Sequence, residues 1–273
     1  MNVLSLEEKT KVIQCLVEGN SIRGTVRITG TAKGTILRLL EDVGKACAKY
    51  QDEHLRNLSC KRIECDEIWS FCGIKEKNLS LRDQGKFGIG SVWTWTAIDS
   101  DTRLVPCWFV GQRTLPHAKA FITNLKSRLT NRVELITDGL SHYAIAIESI
   151  FGGEIDYAMI VKKFGEREDM LLLEKQVIQG NPDPTRISTS YVERQNLTMR
   201  TQMKRFTRKT NAFSKKIENL QYAIALHFMY YNFCRPHTTL NKEKNLGVTP
   251  AMAAGVAKRP WKIEEIVRLI ASH

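Results

Sequence analysis

The chain has 273 residues, and its 42% hydrophobic and 26% charged content is that of an ordinary globular protein. A formal net charge of +12 favours an acidic polymer, above all nucleic acid, as partner. The alternative is a basic protein without such a partner. We find no secretory signal, no apolar run near the ~18 residues of a membrane span, and no C-x-x-C pair among the cysteines. We therefore expect a cytoplasmic protein with no membrane association, no disulfide framework and no zinc ribbon.

The first fifty residues have the apolar spacing of three helices. Ser5 and Glu8 form a capping box at the start of the first helix, and a tight turn precedes the third. This arrangement predicts a helix-turn-helix DNA-binding domain over residues 1–50. In that motif the last helix offers its first residues to the major groove, and here these are Lys33, Thr35 and Arg38. A plain three-helix cap packed on the next domain remains the alternative.

From residue 60 the pattern changes to alternating, β-branched and aromatic runs. "RIECDEIWSFCGI", "GSVWTWTAIDS" and "RLVPCWFVG" predict an antiparallel meander. A helix, the short buried strand "VELITDGL", another helix and the strand "EIDYAMIVKK" follow, whereas residues 166–188 are predicted to be irregular. Two helices then occupy about Ser190–Phe206 and Ala212–Phe233.

This order predicts an α/β domain over residues 60–235, with a mixed sheet flanked by helices. The order also matches the RNase H-like fold, a narrower hypothesis that depends on the acidic residues described below. Residues 236–273 are predicted to form a tail that packs on or extends this domain.

Three acidic residues occupy unusual positions. Asp66 lies within an otherwise apolar strand, Asp138 ends the buried strand "ELITD", and Glu193 begins a helix. Each has a structural explanation: a strand acid satisfied by a turn amide, an Asp-Gly turn, and an acid favoured by the helix dipole. Taken together, the three fit a metal-dependent phosphodiester chemistry. In that chemistry two divalent ions about 4 Å apart stabilise the attacking and leaving oxygens, and Mg²⁺ prefers carboxylate ligands.

Basic residues surround Glu193 on its helix and continue beyond it. Val192, Met199, Met203 and Phe206 recur at helical spacing and predict the buried stripe, which leaves the polar residues for another face. A solvated surface helix with ion pairs would also explain these charges. The functional interpretation is that they contact DNA phosphates beside the metal, and the predicted set is Arg194, Asn196, Arg200, Lys204, Arg205, Arg208 and Lys209.

The motifs "CDEIW", "TDG" and "YVERQNLTMR…KRFTRKTNAFSKK…YYNFCRPH", in that order, resemble the DDE transposases of bacterial insertion sequences, specifically the insertion-sequence-one type. The resemblance runs from about Arg62 to about Gly255. It implies an RNase H-like fold in which Asp66, Asp138 and Glu193 are catalytic and bind two Mg²⁺ ions, with Mn²⁺ as a possible substitute. It also implies that Arg200, two turns after Glu193, contacts the element end.

Two departures from the family pattern stand out. The interval between Asp138 and Glu193 is longer than in the best-known members, and the N-terminal cysteine zinc finger that members often carry is missing. The helix-turn-helix would then recognise the element ends without it. The interval predicts an added strand and loop between the second and third acids.

The resemblance implies a transposase that binds the terminal inverted repeats of its element, cleaves the phosphodiester at each end and joins the 3′-hydroxyls to target DNA. Its partners would be double-stranded DNA and further copies of itself, as a dimer or larger assembly, at the nucleoid of a bacterium or archaeon. Two alternatives remain at this point. One is a decayed copy that binds DNA without catalysis, and the other is an RNase H-like nuclease without strand transfer.

Overall fold

The computed structural model describes residues 4–164, 171–207, 209–241 and 247–272. The chain divides into two compact units. The sheet unit comprises Leu55–Ile68 and Trp93–Asn196, and the helical unit comprises Met1–His54, Trp69–Val92 and Leu197–His273. The predicted combination of a mixed sheet with flanking helices is confirmed.

The elements follow one another in an order close to the predicted one. The chain begins with helices α1 (Leu6–Val17), α2 (Ile22–Thr29) and α3 (Lys33–His54). The sheet region contains β1 (Arg62–Cys72), β2 (Gly90–Asp99), β3 (Cys107–Gly111), α4 (Leu115–Lys126), β4 (Glu134–Asp138), α5 (Ser141–Phe151), β5 (Asp156–Phe164) and β6 (Leu171–Gln179). The remaining helices are α6 (Ser190–Gln202), α7 (Ile217–Met229), α8 (Pro250–Ala253) and α9 (Ile263–Arg268).

The six strands form one sheet in the order β3-β2-β1-β4-β5-β6. Strands β2 and β3 pair antiparallel, β4 is parallel to both β1 and β5, and β6 returns antiparallel to β5. The parallel pairs place the carboxyl ends of β1, β4 and β5 on the same side. The register sets Cys65 opposite Thr137, so Asp66 and Asp138 come next on neighbouring strands.

Aromatic and aliphatic packing holds the sheet unit together. The buried Trp95 of β2 meets Tyr143 of α5 edge to face, with ring centroids 5.3 Å apart, and meets Phe121 of α4 at 6.0 Å. Helices α4 and α5 therefore cover the same face of β2. Burial of such rings supplies much of the hydrophobic stabilisation of a domain this small.

The helical unit is built on the contact of α3 with α7 and of α1 with α9. Gly44 permits the first contact, because a Cβ at this position would lie only 2.4 Å from the Cβ of Tyr222. The buried Gln51 adds a hydrogen bond from its Nε2 to the carbonyl oxygen of Ala225, at 2.9 Å. The capping box predicted for α1 is present, with Ser5 and Glu8 bonded reciprocally.

Two local predictions were wrong. The third of the helices predicted in the first fifty residues runs past them and ends at His54, because Gln51 is buried and tied to α7. Part of residues 166–188, predicted to be irregular, forms β6, which supplies the added strand expected between Asp138 and Glu193. Leu173 and Val177 of β6 are exposed although they are apolar, so the side chains of this strand do not follow the usual rule of apolar residues inside.

Within the described ranges, no helix has both the length and the apolar character needed to cross a membrane.

Candidate metal centre

Three carboxylates converge where β1 and β4 lie side by side. They belong to Asp66 and Glu67 of β1 and to Asp138 at the end of β4, and each offers an oxygen within 4.8 Å of the other two. Two of these residues were predicted from the sequence. Glu67 was not, because neighbouring residues in a strand normally point to opposite faces.

Asp66 is held from two directions. Its Oδ1 accepts the backbone N–H of Glu67 at 2.8 Å, and its Oδ2 accepts Nδ2 of Asn196, also at 2.8 Å. Burial raises the pKa of Asp66 from 3.8 to about 6, and repulsion from Asp138 and more weakly from Glu193 adds to this effect. A carboxylate whose charge is disfavoured in this way gains from a nearby cation.

Glu67 is the most buried of the three acids, with its side chain 1% exposed. One oxygen accepts the hydroxyl of Tyr143 at 3.1 Å, and the other accepts Nε of Arg113 at 2.5 Å. Burial, with repulsion from Asp138 and Asp66, raises its pKa from 4.5 to about 7, although Arg113 opposes the shift. Tyr143 and Arg113 therefore hold a carboxylate beside the two predicted ones.

Arg113 is the cation closest to this cluster among the ion pairs described. Its Nη2 lies 3.7 Å from Oδ2 of Asp138, and its guanidinium lies 5.0 Å from the ring centre of Trp93. The other oxygen of Asp138 accepts the backbone N–H of Leu140 at 3.1 Å, a turn that fixes the carboxylate at the end of β4. One positive charge thus offsets part of the repulsion among three acids.

Glu193 lies in the first turn of α6 and is outside the group of three carboxylates. Its side chain is 47% exposed, and its Oε1 accepts Nζ of Lys162 at 3.2 Å and the hydroxyl of Thr189 at 3.3 Å. Repulsion from Glu193 is the weakest of the effects on the raised pKa of Asp66. The structure therefore brings Asp66 and Asp138 together and leaves Glu193 paired with a lysine nearby.

The donors present fit a divalent cation of the hard type. Mg²⁺ and Mn²⁺ take carboxylate and carbonyl oxygens, and three carboxylates within reach of one another supply them. A further oxygen is available, because Oδ1 of Asn196 is buried and has no hydrogen-bond partner among the described residues. A cation would relieve the repulsion that raises the pKa of Asp66 and Glu67.

The residues predicted to contact DNA differ in how exposed they are. Exposed cationic side chains are found at Lys33, Arg38, Arg194, Arg200, Lys204 and Lys209, and Thr35 is half-buried. Arg205 donates to Oγ of Ser214 at 2.5 Å, and burial lowers its pKa to about 10. Asn196 is 4% exposed and bonded to Asp66, whereas Arg208 lies outside the described residues.

A cluster of carboxylates on two adjacent strands of a mixed sheet is typical of enzymes that bind divalent cations. The family comparison agrees with the predicted resemblance: residues 167–233 match the family model described as IS1 transposase. The match covers 67 of the 273 residues (233 − 167 + 1) and supports an insertion-sequence-one type of DDE transposase. It includes Glu193 and begins after Asp66 and Asp138. No curated protein matches the sequence significantly.

Solved structures similar to this chain include transposase complexes. The piggyBac transposase synaptic complex with hairpin DNA is similar at a TM-score of 0.47 and 9% identity, over 98% of this chain and 70% of that chain. The Mos1 transposase paired-end complex with left transposon end has a TM-score of 0.24 and 11% identity, over 57% and 60% of the two chains. The Mos1 strand transfer complex has a TM-score of 0.26 and 11% identity, over 84% and 76%. Likenesses at this level do not identify a function.

Proposed function

We propose that this protein is a DDE transposase that cleaves the ends of an insertion sequence and joins them to target DNA. The observation that carries the proposal is the approach of the Asp66 and Asp138 carboxylates on parallel neighbouring strands. Glu193, the third acid, lies within the segment that matches the IS1 transposase family. The three acids thus come from the two adjacent strands and the helix that the resemblance assigns to them.

The strand order supports an RNase H-like core. Strands β3, β2, β1, β4 and β5 follow one another across the sheet. The first three are consecutive in the chain, β4 is parallel to β1, and β5 is parallel to β4. In this arrangement the end of β4 lies beside the middle of β1, at the centre of the sheet. Strand β6 is added at the edge and does not disturb the two central acids.

Asp66, Asp138 and Glu193 would hold two Mg²⁺ or Mn²⁺ ions. When bound, these ions would stabilise the charge that develops on the attacking and leaving oxygens. Asn196 orients Asp66 through a hydrogen bond from its Nδ2. Asn196 would therefore act inside the acidic site and would not contact a DNA phosphate. Tyr143 and Arg113 keep Glu67 beside the pair, so that the site retains its shape before DNA arrives.

Two displacements at phosphorus complete the proposed reaction. In the first, water adds to the phosphorus at the element end, and the 3′ oxygen leaves and takes up a proton as a 3′-hydroxyl. In the second, this hydroxyl adds to a phosphorus of the target, loses its proton to solvent and displaces a target 3′ oxygen, which takes up a proton from solvent. The second step needs no outside energy source, because it forms one phosphodiester for each one that it breaks.

DNA would be bound by exposed cations in both units. We assign recognition of the terminal inverted repeats to a helix-turn-helix formed by α1, α2 and α3, with Lys33, Thr35 and Arg38 at the start of α3. Arg194, Arg200, Lys204 and Lys209 would contact phosphates, since all four side chains are exposed. Because two ends must be held together, the active form would be a dimer or larger, working at the nucleoid in the cytoplasm of a bacterium or archaeon.

The experiment that tests this function uses the purified protein, Mg²⁺ and a labelled duplex that carries the element end. We expect a nick at the end followed by joining to a second DNA, with both products lost in Glu193→Gln. Cutting without joining would point to an RNase H-like nuclease. Binding without cutting would point to a decayed DNA-binding copy.

A further inference from the structure

Glu64 is a buried acid that the proposed chemistry does not use. It lies on β1 two residues before Asp66, and only 1% of the residue is exposed. Burying a carboxylate costs free energy unless hydrogen bonds satisfy it. The contacts of this side chain therefore explain why the strand tolerates it.

Those contacts reach the start of α6. Oε2 of Glu64 accepts the backbone N–H of Tyr191 at 2.8 Å and that of Val192 at 3.0 Å, and Oε1 accepts the hydroxyl of Ser100 at 3.1 Å. The two N–H groups are among the four that a helix leaves without an internal partner at its first turn. A negative charge there also interacts favourably with the helix dipole.

The free N–H groups at the start of a helix are usually accepted by the side chain of the N-cap residue. The N-cap residue of α6 is Thr189, whose carbonyl accepts the N–H of Glu193 at 3.0 Å, but its hydroxyl donates to Oε1 of Glu193. The cap is supplied instead by a strand residue 127 positions away. Arg103 reinforces the same turn, since its guanidinium lies 3.5 Å from the ring centre of Tyr191.

The geometry connects two predicted catalytic acids. Glu64 and Asp66 lie on the same side of β1, because strand side chains alternate with a period of two. Val192, which donates to Glu64, directly precedes Glu193. One turn further along α6, Asn196 donates to Asp66, so the helix is tied to the strand at two points.

We propose that Glu64 is a positioning residue that fixes Glu193 relative to Asp66 by capping α6 from β1. This inference rests on the proposed function, since it concerns the same acids. Without the cap, the first turn of α6 frays and Glu193 no longer holds a cation together with Asp66. Loss of such a supporting contact typically costs metal affinity or activity about 10- to 100-fold.

The test compares Glu64→Ala with Glu64→Gln, because the glutamine carbonyl can still accept from both N–H groups. Three quantities are measured: hydrogen exchange of the peptide around Tyr191, Mn²⁺ affinity by calorimetry, and the Mg²⁺ concentration that half-saturates end cleavage. For Glu64→Ala we expect faster exchange, weaker Mn²⁺ binding and a Mg²⁺ requirement raised by about tenfold or more. End binding in EDTA should stay within about twofold of wild type, and Glu64→Gln should recover most of each loss.

Asp156→Ala is the matched control. Asp156 is also a carboxylate that ties strand to backbone, since its Oδ1 accepts the N–H of Asn181 at 2.8 Å, but that bond joins the start of β5 to a residue outside α6. We expect this variant to leave exchange at Tyr191 and the Mg²⁺ requirement unchanged. If Glu64→Ala fails to fold, Ser100→Ala removes one bond to Glu64 and should give a smaller change of the same sign.

The positioning role is overturned if Glu64→Ala matches wild type in exchange and Mn²⁺ affinity, or if Asp156→Ala reproduces its losses. Should the wild-type protein not cut the element end, the proposed function fails by itself. Exchange and Mn²⁺ affinity would then still decide whether Glu64 positions α6.

Discussion

Without metal, the buried carboxylate of Glu67 should make the folded protein less stable as the pH rises. Its pKa is about 7 in the folded chain against an ordinary 4.5, so the folded state holds this proton more tightly than the unfolded state. Stability is highest at or below pH 4.5, where both states are protonated, and it falls as the pH rises through 7, after which the loss is complete.

The magnitude comes from the same two values. Because the pKa of Glu67 is about 7 in the folded chain and 4.5 otherwise, the total loss in unfolding free energy is about 3 kcal/mol, at about 1.36 kcal/mol for each pKa unit. Most of it, about 2 kcal/mol, should appear between pH 5 and pH 8. The acids of the cluster repel one another, so their individual contributions do not add.

Urea unfolding in EDTA at pH 5 and pH 8 measures this effect for wild type and for Glu67→Gln. Glutamine keeps the size of the side chain and an oxygen for the Tyr143 hydroxyl, but it does not titrate. We expect the fall in unfolding free energy between the two pH values to be smaller by about 2 kcal/mol in the variant. Asp156→Asn is the control, because ion pairing with Arg132 lowers the pKa of Asp156 and removing it should leave the fall unchanged. Equal falls in wild type and Glu67→Gln would show that the Glu67 carboxylate does not cause the loss of stability.

The remaining predictions concern metal, DNA and packing. Mg²⁺ should stabilise the wild-type protein more at pH 8 than at pH 5, since protons compete for the carboxylates; equal stabilisation at both pH values would remove the cluster as the metal site. Arg38→Ala should weaken binding to the element end more than to unrelated duplex, and an unchanged preference in a binding titration would take Arg38 out of the recognition helix. Affinity for DNA should fall steeply with salt, whereas a flat response would contradict phosphate binding. Gly44→Ala should destabilise the protein by about 1–3 kcal/mol through contact with Tyr222, and Gly34→Ala, on the same helix with open space around it, should not.

The sequence predicted the sheet and the two strand acids because both leave local signals. Alternating and β-branched runs marked β1, β2 and β5, and an acid inside such a run was conspicuous at Asp66. Strand β6 gave a weaker signal, since "LLLEKQVIQ" does not alternate apolar and polar residues and its apolar Leu173 and Val177 are exposed. Local pattern therefore predicted the other five strands better than the edge strand β6.

Contacts between distant residues could not be predicted. The cap that Glu64 provides for α6 joins positions 64 and 191, and nothing in "RIECDEIW" indicates its partner. Glu67 was missed because strand alternation places it opposite Asp66, although both carboxylates approach Asp138. Asn196 was assigned to DNA from its position beside basic residues, whereas its side chain is buried against Asp66.

We propose above that the carboxylates of β1, β4 and α6 together support strand transfer. The most direct measurement supplies an element end that already carries its 3′-hydroxyl, together with a target plasmid and Mg²⁺, and compares wild type with Asp138→Asn. We expect joined products only with wild type, while both proteins bind the end equally well. Joining by Asp138→Asn at the wild-type rate, or none by a wild-type protein that binds the end, would contradict it.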